Sequence, residues 1–392
     1  MRILILLLCG LIASTSFAAR YTVFIKDEKK FQESTRQWSF MKVRGAYKVL
    51  KVHPHLQAYL IESNDENLQS ISPEVLIEKD FRHPLPKMEA RTADLKLFPM
   101  DLSQQGAPWG VVTVRASEAW PLSHKGKGAR VLVLDTGIDR DHPALQGQIS
   151  ESKNFVSDQP APYAVIDKVG HGTHVAGIIL AKEMAGGFSG VAPGARLLVG
   201  RICDLTGCSS SDMIAGIEWG IAKKVDVINL SLGDQRQTDL ERAAIAKAEK
   251  AGVVVVAATG NNGSDSISYP AGYGTSVAVG AVDQELKRAP FSQYGEALDL
   301  MGPGVSIYST FSKAALCRKA QADYCVMSGT SMASPHVAGV VALIRAANPA
   351  LKPLEIRRIL KSSAKTLGNS PLQYGAGLVD AEKAVTKASE LR

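Results

Sequence analysis

Along the longer, C-terminal part of this chain, apolar positions come in short and nearly unbroken runs at residues 131–134, 197–202, 225–230, 253–258 and 277–279. Runs of this length, rich in Val and Ile, predict strands buried on both faces. Between them the apolar positions fall into helical spacing near 171–181, 212–223, 240–250 and 331–347. Strands alternating with helices predict an α/β domain in three layers, a central parallel sheet with helices on both sides. In that architecture, sites form where strand ends meet helix starts.

The first part of the chain has a different rhythm. Residues 21–25, 47–52, 56–61 and 75–77 read as strands, with helix-permissive stretches at 27–38 and 65–70. The order β-α-β-β-α-β is the split, ferredoxin-like pattern of a small α+β domain over 19–82. Residues 83–103 turn to Pro, charge and isolated apolar positions and read as a linker, with the α/β domain following over 104–392. Residues 1–18 read as a signal peptide: Arg2 precedes an apolar run at 3–12, and Ser16-Phe17-Ala18 offers small residues for cleavage. The run is too short for a membrane span, and Leu8 before Cys9 lacks the small side chain of a lipid-attachment site.

The net charge of +7 is spread along the chain without a basic block, so nucleic acid and anionic membrane are not expected partners. Export changes the reading of the five cysteines. With Cys9 removed, Cys203, Cys208, Cys317 and Cys325 remain in two close pairs, which suits disulfides in an oxidising compartment. Three pairings are possible, and the local one, Cys203 with Cys208 and Cys317 with Cys325, is expected. Neither pair has metal-ligand spacing with a histidine close by, so no metal site is expected there.

Three motifs carry the chemistry. VLVLDTGID places Asp135 at the end of a predicted strand, GHGTHVAG places His171 at a helix start between two glycines, and GTSMASPHVAG places Ser331 at a loop-to-helix junction. A serine nucleophile needs a base, and the base needs a carboxylate to orient it. With these motifs in the order Asp, His, Ser, the chain resembles the subtilisin-like serine peptidases, or subtilases. The resemblance implies His171 as general base, Asp135 as its orienting partner and Ser331 as nucleophile. It also implies Asn261, in AATGNNG, as a side-chain donor to the oxyanion opposite the Ser331 N–H. Asp139, His174 and Asn262 are neighbours without these roles, His174 reading as a buried, hydrogen-bonded residue.

The same resemblance implies a peptide cleft walled by Ser231-Leu232-Gly233 on one side and Ala258 to Gly260 on the other, with Ser268 at the floor of the first pocket. None of these is acidic, which points to an apolar or broad preference. Residues 19–82 resemble the inhibitory propeptide of the family, whose tail lies in the cleft; cleavage after Met100 or Leu102 would release it. The expected product is a secreted serine endopeptidase, extracellular or periplasmic, monomeric, acting on proteins and peptides and needing no cofactor. Ala144 and Met184 stand where many subtilases have a calcium-binding carboxylate and amide, so no calcium is expected at that site, and any calcium would have to sit elsewhere. A sedolisin-type carboxyl peptidase would replace His171 by an acid and Asn261 by Asp. An inactive binding protein of this fold would have lost a member of the triad.

Overall fold

The computed structural model describes residues 19–41, 47–54, 57–63, 75–85, 106–156, 164–185, 187–315, 323–368 and 370–392. The expected signal peptide at 1–18, the helix expected at 65–70, and Met100 and Leu102 lie outside the described residues. The chain divides into two compact units, Met1–Arg82 and His83–Arg392.

In the smaller unit β1 (Ala19–Ile25), α1 (Glu28–Met41), β2 (Tyr47–His53), β3 (Ala58–Ser63) and β4 (Val75–Lys79) follow in chain order. The strands form an antiparallel sheet in the order β2–β3–β1–β4. Asp27 starts α1 by accepting the Lys30 N–H at 2.8 Å. Alternate residues of β1, Tyr21, Val23 and Ile25, are buried in one cluster with Phe31 of α1 and with Tyr59, Ile61 and Val75. A period of two on the strand thus meets the helix from one face.

The larger unit holds β5 (Arg82–His83) from His83 onward, α2 (Trp109–Thr113), α3 (Ala116–Ser123), β6 (Arg130–Asp135), β7 (Ile149–Asn154), α4 (His171–Leu180), β8 (Arg196–Arg201), β9 (Cys203–Asp204), β10 (Gly207–Ser209) and α5 (Ser210–Ala222). Then come β11 (Val227–Leu230), α6 (Asp239–Lys250), β12 (Val254–Ala258), β13 (Ser276–Val282), β14 (Leu300–Pro303), β15 (Ile307–Thr310), β16 (Tyr324–Met327), α7 (Thr330–Ala347), α8 (Pro353–Ser363), α9 (Pro371–Tyr374) and α10 (Ala381–Glu390). Its main sheet has seven strands, all parallel, in the order β14–β13–β12–β11–β6–β8–β7. The five strands read from sequence are its centre, and the two that sequence misses are its edges. Edge strands need no continuous apolar run: β7 is ISESKN and half exposed, and β14 is four residues with Gly302 and Pro303.

The two sides of the sheet separate by side-chain alternation. Val131, Val133, Val227, Val254 and Val256 share a buried cluster with α7, whereas Gly216 and Gly220 of α5 abut Leu134, Leu132 and Ile228, which point the other way. α7 is buried nearly throughout and packs with α3, α4 and α10. Pro335 lies in its second turn and cannot donate to the Ser331 carbonyl. That carbonyl instead accepts the Ser231 hydroxyl at 2.8 Å. Among the described residues no helix is long and apolar enough to cross a membrane.

Candidate active site

Asp135 ends β6, and its carboxylate is held by the Thr136 N–H at 2.7 Å. His171 opens α4, with its Nδ1 at 2.8 Å and 3.0 Å from the two Asp135 oxygens. The approach depends on Gly172: a Cβ there would come within 2.4 Å of the Gly137 carbonyl and 3.1 Å of the Asp135 Cβ. Burial disfavours the imidazolium, but the charge and hydrogen bond of Asp135, and then the charge of Asp167, outweigh it and raise the His171 pKa. The other ring nitrogen, Nε2, is buried and has no hydrogen-bond partner among the described residues.

Ser331 is the second residue of α7, which packs on α4. Its hydroxyl donates to the Ser231 carbonyl at 3.1 Å rather than to His171. Catalytic hydrogen bonds are often unmade in the absence of substrate. Asn261 follows β12. Its Oδ1 accepts both the N–H and the hydroxyl of Thr330 at 2.9 Å, while the Thr330 hydroxyl accepts the Gly260 N–H at 3.1 Å. These donors fix the amide, so its Nδ2 faces away from them. A Cβ built on Gly329 would lie 3.5 Å from that Nδ2 and 3.7 Å from the Ser331 nitrogen, so both donors border one small space.

Leu232, Gly233, Ala258, Gly260, Asn261, Ser268 and Ser331 line a single cavity. Ser231 stands behind it, tied to α7 by the two bonds already described. The sequence reading missed two residues that shape the floor: Gln235 donates to the Ser268 hydroxyl at 2.9 Å, and that hydroxyl donates to Gln293 at 3.3 Å. Gly260 has φ of 106°, and a Cβ there would strike the Gln293 amide oxygen at 1.9 Å, so no other residue fits. Asp234, at the rim, accepts the Arg236 N–H at 2.9 Å.

Asp167 was also missed. It is fully buried before α4 and accepts from Thr136, Val169, Gly170 and both donors of Thr173 at 2.7–3.1 Å, holding the turn that presents His171. A lone Asp in VIDKVG carries no spacing that would mark it. Asp139 instead ties a loop through Asp141 and Lys313. His174 lies with Nε2 at 3.1 Å and 3.0 Å from the Ile307 and Cys325 carbonyls, and burial lowers its pKa to about 3.

Cys203 and Cys208 form a disulfide across the β9–β10 pair. Cys325 is buried on β16, and Cys317 lies outside the described residues, so the second pairing is not described. At the place of the family's calcium site, neither Ala144 nor Met184 offers a side-chain oxygen. The Ala144 carbonyl accepts the Lys182 N–H at 2.9 Å, the Met184 carbonyl accepts that of Gly187 at 3.0 Å, and the adjacent Glu183 pairs with Lys125.

Residues 126–377 match the model described as the subtilase family. The chain is 40% identical to M-protease of Shouchella clausii (strain KSM-K16) over 343 residues, 83% of this chain and 86% of that protein. It is 44% identical to Subtilisin Savinase of Lederbergia lenta over 281 residues, 71% of this chain and 99% of that one, and 40% identical to Subtilisin E of Bacillus subtilis (strain 168) over 285 residues, 71% of each. The chain belongs to the subtilase family and is a serine endopeptidase. Proteins are its substrate class.

Proposed function

We propose that the chain is made as a secreted, self-processing proenzyme that cuts peptide bonds through an acyl-enzyme formed on Ser331. The observation that carries this is the buried His171–Asp135 pair whose remaining nitrogen is left without a partner at the helix packed on α7. The Ser331 hydroxyl turns from the Ser231 carbonyl to His171 Nε2 and attacks the substrate carbonyl carbon. His171 takes the proton, and Asp135 stabilises the imidazolium. The oxyanion is bound by the Ser331 N–H and the Asn261 amide, at the start of a helix whose dipole favours negative charge. His171 then protonates the leaving amine, and water, activated by the same base, hydrolyses the ester and regenerates Ser331.

The neutral amides and hydroxyls around Ser268 favour uncharged side chains in the first pocket. Residues 19–82 act as an intramolecular inhibitor, a role supported by their sheet order, their place before the peptidase, and the lining of the Ser331 cavity by Pro84 and Leu85, just beyond them. The mature enzyme works as a monomer and needs no cofactor.

A phosphonate serine probe followed by peptide mass mapping tests the site, and mass analysis of secreted wild type beside Ser331→Ala tests maturation. The expected results are label on Ser331 alone, and accumulation of the proform in Ser331→Ala. Label elsewhere would refute the assigned nucleophile; normal maturation of purified Ser331→Ala, with no other peptidase present, would refute self-processing.

A further inference from the structure

The larger unit holds a second buried histidine–carboxylate pair. His83 Nε2 lies 2.8 Å from Glu241 Oε1, with both side chains fully buried. The same carboxylate accepts the Ser210 hydroxyl at 2.6 Å and the Tyr273 hydroxyl at 3.4 Å. Ser210 opens α5, Glu241 is the third residue of α6, and Tyr273 comes from the loop after β12, so three elements converge on one acid.

Local sequence alone would send Glu241 elsewhere. Thr238 caps α6 by accepting the Glu241 N–H at 3.2 Å, and in Thr-x-x-Glu the glutamate ordinarily turns back to the N–H of the cap. Here the Thr238 N–H goes to the Tyr273 hydroxyl at 3.0 Å. The Glu241 carboxylate is thereby free to point into the hole that His83 fills. A carboxylate is buried in this way only where donors are supplied to it.

The chain that follows His83 leads to the active site. Pro84 and Leu85 line the cavity that contains Leu232, Gly233, Asn261 and Ser331. A segment of this chain therefore has one side chain in the Glu241 hole while its continuation lies in the cleft. Counting Leu85 as the first or second residue before a cut bond puts the Glu241 hole at the third or fourth.

We infer that Glu241, with Ser210 and Tyr273, forms a subsite of the peptidase cleft selective for histidine, or another basic N–H-donating side chain, at the third or fourth residue upstream of the scissile bond. This rests on the serine-peptidase reading of the Ser331 site. An apolar side chain would close the hole over a carboxylate left with hydroxyl donors alone, and an acid would repel it. The uncharged residues that sequence assigns to the cleft, Ser231 to Gly233, Ala258, Gly260 and Ser268, give no hint of such a preference.

The test is hydrolysis, by the full chain as expressed and processed, of quenched peptides varied at each of four positions upstream of the cut bond. At one position only, kcat/KM for His should exceed that for Leu by about 10- to 100-fold, the range of a hydrogen bond to a charged group, with Glu the poorest. In Glu241→Gln the His-to-Leu ratio should fall toward one, and in Glu241→Leu it should invert. The ratio is taken within one enzyme, so it does not depend on how much of a variant folds, and the wild-type profile alone is decisive if neither variant folds. A flat wild-type profile, or an unchanged ratio in Glu241→Gln, would overturn the subsite alone. Failure of the wild type to cut any peptide would overturn the Ser331 reading with it.

Discussion

The two buried histidine–carboxylate pairs have the same separation, 2.8 Å, and opposite designs. In the first, the acid ends a strand and the histidine opens a helix, so both partners sit on regular elements. In the second, the acid gathers hydroxyls from two other elements, while the histidine lies on the two-residue strand β5 and is followed by Pro84. A carboxylate that orients a base and a carboxylate that receives a side chain differ in which partner the fold immobilises. The chemistry of the pair alone does not distinguish them.

That difference is broken most sharply at Asp135. Asp135→Asn should lower kcat by about 10⁴-fold with a small change in KM, because the amide holds the wrong tautomer of His171, as in the trypsin-like triad. The loss should be the same for every peptide, whereas the Glu241 variants should change the ranking among peptides. A steady-state comparison of both variants on His- and Leu-containing peptides checks this. If Asp135→Asn altered ranking instead of turnover, the two roles would have to be exchanged.

The two pairs also differ in how far they could be read. Asp135, His171 and Ser331 stand in compact motifs, because each needs small residues beside it, and those glycines leave a trace in sequence. The five central strands were legible for a related reason: burial on two faces demands unbroken apolar runs. β7 and β14 were not, since one neighbour and a partly exposed or very short strand relax that demand. Glu241 was hidden by a local reading that is complete in itself, a helix cap, and only Tyr273, 32 residues further on, diverts it. Asp167, Gln235 and Gln293 were hidden because their partners are backbone groups and hydroxyls that any loop supplies.

Asn261 sharpens the contrast between positioning and reacting groups. Asn261→Ala should lower kcat by about 10²- to 10³-fold with little effect on KM, a magnitude known for subtilisin itself. Its Oδ1 also supports Thr330, so thermal unfolding of the variant should be measured alongside. A fall in KM-linked affinity with unchanged kcat would place the oxyanion donor elsewhere.

The acid limb of activity follows from the raised pKa of His171. Only the neutral imidazole accepts the Ser331 proton, so kcat/KM should fall about tenfold per pH unit below that pKa. The midpoint should lie above the ordinary value of about 6.5. Asp167→Asn removes one of the charges that raise it and should move the midpoint down. A pH–rate profile whose midpoint stays put in that variant would exclude Asp167 from the electrostatics of the base.

Two histidines without any carboxylate partner complete the comparison, with the smallest effect. His174 and His336 are buried and bonded only to backbone carbonyls, and burial lowers their pKa values to about 3 and about 4. In the unfolded chain each binds a proton below about 6.5, while in the fold each stays neutral until pH reaches its own lower value. Between those limits the unfolded state holds more protons, so stability is intact above about 6.5 and declines as pH falls, by about 1.4 kcal/mol per unit for each group. His171 works in the opposite sense, since its raised pKa adds stability on acidification. Urea unfolding of Ser331→Ala, which cannot digest itself, should therefore give a stability that falls from pH 6 to pH 4. Adding His336→Asn, whose amide nitrogen takes the place of Nδ1 and can still donate to the Met332 carbonyl, should reduce the slope by about 1.4 kcal/mol per pH unit. An unchanged slope would mean that His336 is already protonated in the fold, and that burial without a carboxylate does not keep a histidine of this protein neutral.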